Sequence, residues 1–219
     1  MSRRLRIRWA PGEAVTARLA MPRDAAATGV LLAHGAGAGQ DSPFMVRLRD
    51  GIAAAGYPVL TFDYPYVEAG RRAPDRPAKL LACHGAAATR LREYCNDVVL
   101  AGKSMGGRIG SHLAADGEPA AGLVFYAYPI VAPGKKEPRD TGHLKGIAAP
   151  MLFFSGTKDP LSPIGMLEPL VGRLPGAEAA IIEGGNHSFK VPKSSGLSHE
   201  EALDGLVQIT IDWLAGLVS

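Results

Sequence analysis

The chain has 219 residues, of which 47% are hydrophobic and 21% are charged, values that are typical of an ordinary globular protein and exclude a disordered or collagen-like one. The formal net charge of +3 is too small to indicate a nucleic-acid or membrane partner. No apolar run is long enough for a membrane span, and none follows the N-terminus as in a signal peptide. We therefore expect a cytoplasmic protein with a single domain over residues 1–219.

The first predicted elements form a β-hairpin. Apolar and polar residues alternate over residues 5–9 and 14–20, and the APGE segment between them has the composition of a turn. Four arginines lie near its start: Arg3, Arg4, Arg6 and Arg8. They fit either an anion-binding stripe or the charged edge of a sheet, and we favour the edge because charges commonly keep edge strands from pairing with other chains.

After the hairpin, short apolar runs alternate with longer segments of helical periodicity. The predicted strands cover residues 29–33, 58–62, 97–101, 122–126, 150–154 and 179–182. The predicted helices cover residues 44–55, 78–94, 105–115, 164–173 and 199–217. Strands that are apolar on both faces and separated by helices indicate a mostly parallel, twisted sheet of about eight strands with helices on both faces.

The segment GKSMGG at residues 102–107 follows a predicted strand and begins the next helix. It contains the G-x-S-x-G pattern of a nucleophile elbow, in which a sharp turn exposes the serine and the glycines avoid steric clashes. The pattern makes Ser104 a candidate nucleophile. The amide of Met105, at the helix N-terminus, becomes a candidate oxyanion donor. The alternative is a glycine-rich turn that serves only helix–strand packing.

A second glycine-rich segment, HGAGAG at residues 34–39, follows an earlier strand. This position in the chain favours the amide of Ala36 as the second oxyanion donor. Phosphate binding is the alternative, but the segment lacks both the GK[ST] ending of a P-loop and the glycine spacing of a dinucleotide-binding loop. His34 precedes the candidate nucleophile, so we expect it to be structural.

Asp159 and His187 each lie in a loop that directly follows a predicted strand. A serine hydroxyl needs a histidine to accept its proton and an acid to orient that histidine. The order serine, acid, histidine along the chain is that of nucleophile-elbow enzymes, and the carboxyl ends of parallel strands collect functional residues. Each residue alone also fits an ordinary turn. Together they predict a catalytic triad of Ser104, Asp159 and His187.

These motifs resemble the α/β-hydrolases, in particular the dienelactone-hydrolase-like branch that includes the NSL-complex-subunit and testis-expressed-protein group. The segments FDYPY at residues 62–66 and GRRAP at residues 70–74 are the more group-specific features. The resemblance covers nearly the whole chain and implies the same strand order and triad. Dienelactone hydrolases proper have a cysteine nucleophile where this chain has Ser104, so lactone chemistry is not implied.

Substrate recognition is the least specified part of the prediction. Residues 129–149 offer too little chain for a helical cap, so we expect no large cap domain and an accessible site for a small ester or thioester. Tyr64, Tyr66, Arg71 and Arg72 are predicted to border this site. Lys103 fits either a source of positive potential or an ion pair with a carboxylate.

The predicted serine hydrolase requires no metal and no organic cofactor. A scaffold or interaction protein that keeps the fold with little activity is the alternative function, and a protein partner is compatible with either function.

Overall fold

The fold is built on one twisted sheet, which a computed structural model describes together with the rest of residues 2–217. Its strands are β1 (Ser2–Ala10), β2 (Glu13–Ala20), β3 (Thr28–Ala33), β4 (Val59–Phe62), β5 (Asp97–Lys103), β6 (Gly122–Tyr126), β7 (Met151–Gly156) and β8 (Ala177–Ile182). The strand order across the sheet is β1-β2-β4-β3-β5-β6-β7-β8. The first hairpin joins the sheet antiparallel, and all pairs from β4 to β8 are parallel. The predicted mostly parallel sheet of eight strands is confirmed.

Helices cover both faces of this sheet. They are α1 (Pro43–Ala54), α2 (Pro65–Glu68), α3 (Pro77–Leu91), α4 (Met105–Ala115), α5 (Ile164–Val171) and α6 (His199–Gly216), with 3-10 helices at Gly142–Gly146 and Lys193–Ser195. The first three helices begin with proline, whose fixed φ suits the first helical position. α6 begins with a capping box between Ser198 and Glu201.

Two hydrophobic cores lie on opposite faces of the sheet. In β3, Val30 and Leu32 pack on the face covered by α1 and α6, whereas Leu31 and Ala33 pack on the face covered by α3 and α4. Because both faces are covered, successive residues of a central strand are all buried. This explains why these strands are apolar throughout rather than alternating.

The four arginines near the N-terminus lie at one edge of the sheet. β1 is an edge strand, and Arg3, Arg4, Arg6 and Arg8 are all exposed on it. Arg6 forms an ion pair with Glu68 of α2. The arginines therefore lie on the charged edge of the sheet.

The connection from β6 to β7 is the place where a cap would be inserted. Between Tyr126 and Met151 the chain contains a single short helix, the 3-10 helix Gly142–Gly146. The carboxyl ends of the central strands are therefore not covered by a helical cap in the described part of the chain. Across residues 2–217, no helix combines the length and the apolar character that a membrane span requires.

Candidate active site

The sharpest turn of the sheet lies between β5 and α4, at Ser104. Its backbone has φ 49° and ψ −111°, a strained conformation for a residue with a side chain. A Cβ atom on Gly102 would lie 2.3 Å from the nitrogen of Gly107, and one on Gly106 would lie 2.5 Å from the carbonyl oxygen of Ala33. Both glycines are therefore needed for α4 to pack this closely on β3 and β5. The elbow predicted from the sequence is thus a sharp turn from strand to helix that two glycines make possible.

A chain of hydrogen bonds connects the three predicted triad residues. The Nε2 atom of His187 lies 3.0 Å from Oγ of Ser104, and its Nδ1 atom lies 2.8 Å from Oδ2 of Asp159. A carboxylate only accepts hydrogen bonds, so Nδ1 of His187 carries the proton. Nε2 can then accept a hydrogen bond from the hydroxyl of Ser104. Asp159 is 3% exposed and also accepts a hydrogen bond of 2.8 Å from the amide of Leu161. The Nε2 atom of the histidine thus faces the hydroxyl of Ser104.

Two glycines bring the loops of Asp159 and His187 together. A Cβ atom on Gly156, at the end of β7, would lie 1.9 Å from the carbonyl oxygen of Gly185. That carbonyl accepts a hydrogen bond of 2.9 Å from the amide of Lys158. The loop after β7 and the loop after β8 are therefore in direct backbone contact. This contact sets the spacing between the carboxylate and the imidazole.

Lys103 holds the histidine loop from the other side. Its Nζ atom donates a hydrogen bond of 2.6 Å to the carbonyl oxygen of His187 and lies 5.9 and 5.6 Å from the ring centres of Phe44 and Phe189. Burial lowers the pKa of Lys103 to about 8, against the opposing effect of the Asp159 charge. It forms no ion pair with any carboxylate of residues 2–217. The sequence did not indicate this contact with the backbone.

The two predicted oxyanion donors lie beside Ser104. Ala36 and Met105 line the same cavity as the serine, and neither backbone N–H has a hydrogen-bond acceptor among the described residues. His34 braces the loop that carries Ala36. Its Nε2 atom accepts from the amide of Tyr64 at 3.1 Å, and its Nδ1–H donates to the carbonyl of Gly35 at 2.8 Å. Burial lowers the pKa of His34, so this buried imidazole is neutral and structural, as expected.

Two cavities meet at Ser104. The apolar pocket, of about 490 Å³, contains Phe44, Met45 and His187. The arginine pocket, of about 420 Å³, contains Arg108 and Arg139. Four residues line both cavities: Ala36, Ser104, Pro133 and Leu161. A substrate whose carbonyl lies at Ser104 would therefore extend into two cavities, one apolar and one that contains two arginines.

The prediction that Tyr64 and Tyr66 border the site is wrong. Both side chains are fully buried, because α2 turns the chain inward and the hydroxyl of Tyr64 lies 2.9 Å from Nδ1 of His84 in the core. Arg71 forms an ion pair of 2.7 Å with Asp75. Arg72 is exposed, and neither arginine lines the two cavities at Ser104.

Comparison with known proteins places this geometry in a family. Residues 26–215 match the family model described as Alpha/beta hydrolase domain. Dienelactone hydrolase from Anabaena variabilis is similar in structure, with a TM-score of 0.78, 22% identity, and 99% of this chain and 97% of that chain covered. Est1E from Butyrivibrio proteoclasticus is similar with a TM-score of 0.77, 14% identity and 98% of each chain covered. An alpha-beta serine hydrolase homologue from Coxiella burnetii is similar with a TM-score of 0.76, 17% identity and 97% of each chain covered. At these identities the solved structures establish the shared fold, and the family match extends over most of the sequence: the chain belongs to the α/β-hydrolase family.

Proposed function

We propose that this protein is a carboxylic-ester-type serine hydrolase, acting by acyl transfer on small esters or thioesters through Ser104, His187 and Asp159. The observation that carries the proposal is the continuous hydrogen-bond chain from Ser104 through His187 to buried Asp159, with distances of 3.0 and 2.8 Å. It ends on a serine with a strained backbone at a strand-to-helix turn. This combination suits a nucleophile activated by a general base.

The mechanism follows from the direction of these hydrogen bonds. His187 takes the proton of the Ser104 hydroxyl through Nε2 while Oγ attacks the substrate carbonyl. The negative charge on the carbonyl oxygen is held by the free amides of Ala36 and Met105. Asp159 stabilises the imidazolium, which then protonates the leaving group. Water attacks the acyl-serine with the help of His187 and releases the acid.

The chain between β6 and β7 adds only one short 3-10 helix, so the site is open to solvent and accessible to small substrates. Segments 62–66 and 70–74 further support placement near the NSL-complex-subunit and testis-expressed-protein group, which we include in the proposal. We also propose that the chain functions as a single domain, that it is cytoplasmic and that its reaction needs no cofactor.

The experiment is labelling of the purified protein with a fluorophosphonate probe, which reacts with activated serines. Labelling is expected in the native protein and in Ser188→Ala, a control that changes another serine in the apolar pocket. It is expected to disappear in Ser104→Ala and His187→Ala when circular dichroism shows that both remain folded. A folded native protein that does not react would overturn the proposed hydrolase and favour a scaffold role.

A further inference from the structure

Two guanidinium groups lie in the arginine pocket without an acidic partner. Arg108 is held in place, since its Nη1 donates to the hydroxyl of Tyr128 at 3.2 Å and its Nη2 donates to the carbonyl of Asp140 at 3.0 Å. The Nε of Arg139 is buried and has no hydrogen-bond partner in the described part of the chain. No carboxylate of residues 2–217 forms an ion pair with either arginine.

The surroundings do not balance this positive charge. Burial, together with the neighbouring charge of Arg108, lowers the pKa of Arg139. The carboxylate of Asp140 is engaged elsewhere, because its Oδ1 accepts a hydrogen bond of 2.8 Å from the amide of Gly142. Arg139 also lines a neighbouring open cleft that contains Lys145 and Arg173 together with Asp140. Both arginines line the cavity beside Ser104 without a carboxylate partner among the described residues, so this pocket is suited to an anionic group of a ligand.

The position of His187 decides which part of a substrate enters the arginine pocket. The leaving group receives its proton from His187, so it must lie on the side of Ser104 where that histidine stands. His187 lines the apolar pocket and does not line the arginine pocket. The alcohol or thiol therefore lies against Phe44 and Met45, and the acyl chain extends toward Arg108 and Arg139.

We propose that the preferred substrates are esters or thioesters whose acyl chain ends in a carboxylate, which Arg139 binds with Arg108 beside it. The inference rests on the proposed function. In the first step the bond between Ser104 Oγ and the acyl carbon forms, the bond to the leaving oxygen or sulfur breaks, and the serine proton passes through His187 to the leaving group. Water then cleaves the acyl-serine bond and releases a dicarboxylic acid.

The test compares 4-nitrophenyl hydrogen adipate with 4-nitrophenyl methyl adipate, which has the same acyl chain but no charge. After subtraction of spontaneous hydrolysis, the native protein is expected to have the higher kcat/KM for the charged ester. Arg139→Gln is expected to lower this ratio about tenfold or more, as for the loss of one charge-assisted hydrogen bond. Arg139→Lys should keep part of the preference. The control Arg72→Gln, an exposed arginine outside both pockets, should keep all of it.

A binding measurement separates this inference from the proposed function. Adipate is expected to bind Ser104→Ala in calorimetry, and to bind the double variant with Arg139→Gln about tenfold more weakly. Inorganic phosphate at the same ionic strength should displace adipate poorly, because the proposed site binds a chain that carries a carboxylate. If the neutral ester is hydrolysed and Arg139→Gln leaves the ratio of the two kcat/KM values unchanged, the inference is overturned and the proposed function remains intact. Failure of both esters and of fluorophosphonate labelling overturns the proposed function, and with it the acyl assignment, even where adipate binds.

Discussion

Replacement of Lys103 by methionine should stabilise the protein and impair catalysis. Burial moves the pKa of this lysine from 10.5 to about 8. At about 1.4 kcal/mol for each pH unit, that difference corresponds to a cost of roughly 3 kcal/mol for keeping the buried ammonium charged at pH 7. The variant also loses the hydrogen bond of Nζ to the carbonyl of His187, which lowers its free energy of unfolding by about 1 kcal/mol. We therefore expect Lys103→Met to raise the free energy of unfolding at pH 7 by about 1–2 kcal/mol.

The pH dependence of stability follows from the same lysine. Its pKa is lower in the folded than in the unfolded chain, so the unfolded chain binds more protons between about pH 8 and 10.5. The native protein should therefore gain stability relative to Lys103→Met as the pH rises through this interval. Without the lysine, the His187 loop loses its anchor, and kcat/KM should fall about tenfold to a hundredfold.

Urea denaturation at pH 7 and pH 10 measures the first effect, and ester hydrolysis at pH 7 measures the second. Lys136→Met, at an exposed position, is the matched control. A variant less stable than the native protein at pH 7, or a stability difference that does not change between the two pH values, would refute the assignment of Lys103 as a costly buried cation.

Three further changes test other parts of the site. Asp159→Asn should lower kcat by roughly 10⁴-fold with the fold retained, because an amide no longer selects the required histidine tautomer; near-native turnover would rule out the triad. Tyr64→Phe should leave kcat/KM unchanged and lower the free energy of unfolding by about 1 kcal/mol in urea denaturation, since buried His84 loses its partner. A change in KM would instead return this tyrosine to the substrate site. Gly156→Ala should reduce activity and stability together, because its Cβ would clash with the carbonyl of Gly185, and a melting temperature equal to that of the native protein would contradict that clash.

The sequence predicted most successfully the features that depend on local patterns. The elbow at Ser104 combines glycines, a strand and a helix within a few residues, and the apolar runs predicted the parallel sheet. Tyr64 and Tyr66 were misplaced because a loop sequence does not reveal which side chains turn into the core. The contact of Lys103 with His187 was missed because a lysine that binds a backbone carbonyl has no sequence motif, whereas the triad residues do. The pairing of Arg108 with Arg139 likewise depends on how the loop after β6 folds back over α4.

The close backbone contact between Gly156 and Gly185 has a consequence for the mutational tolerance of this chain. Neither residue offers a reactive group, yet any side chain at Gly156 would force apart the loops that carry Asp159 and His187. Gly102 and Gly106 impose the same condition beneath Ser104. Positions that inactivate the protein when changed therefore include backbone spacers as well as reactive side chains. A sequence variant that keeps all three polar residues can still lose their alignment through a single added methyl group.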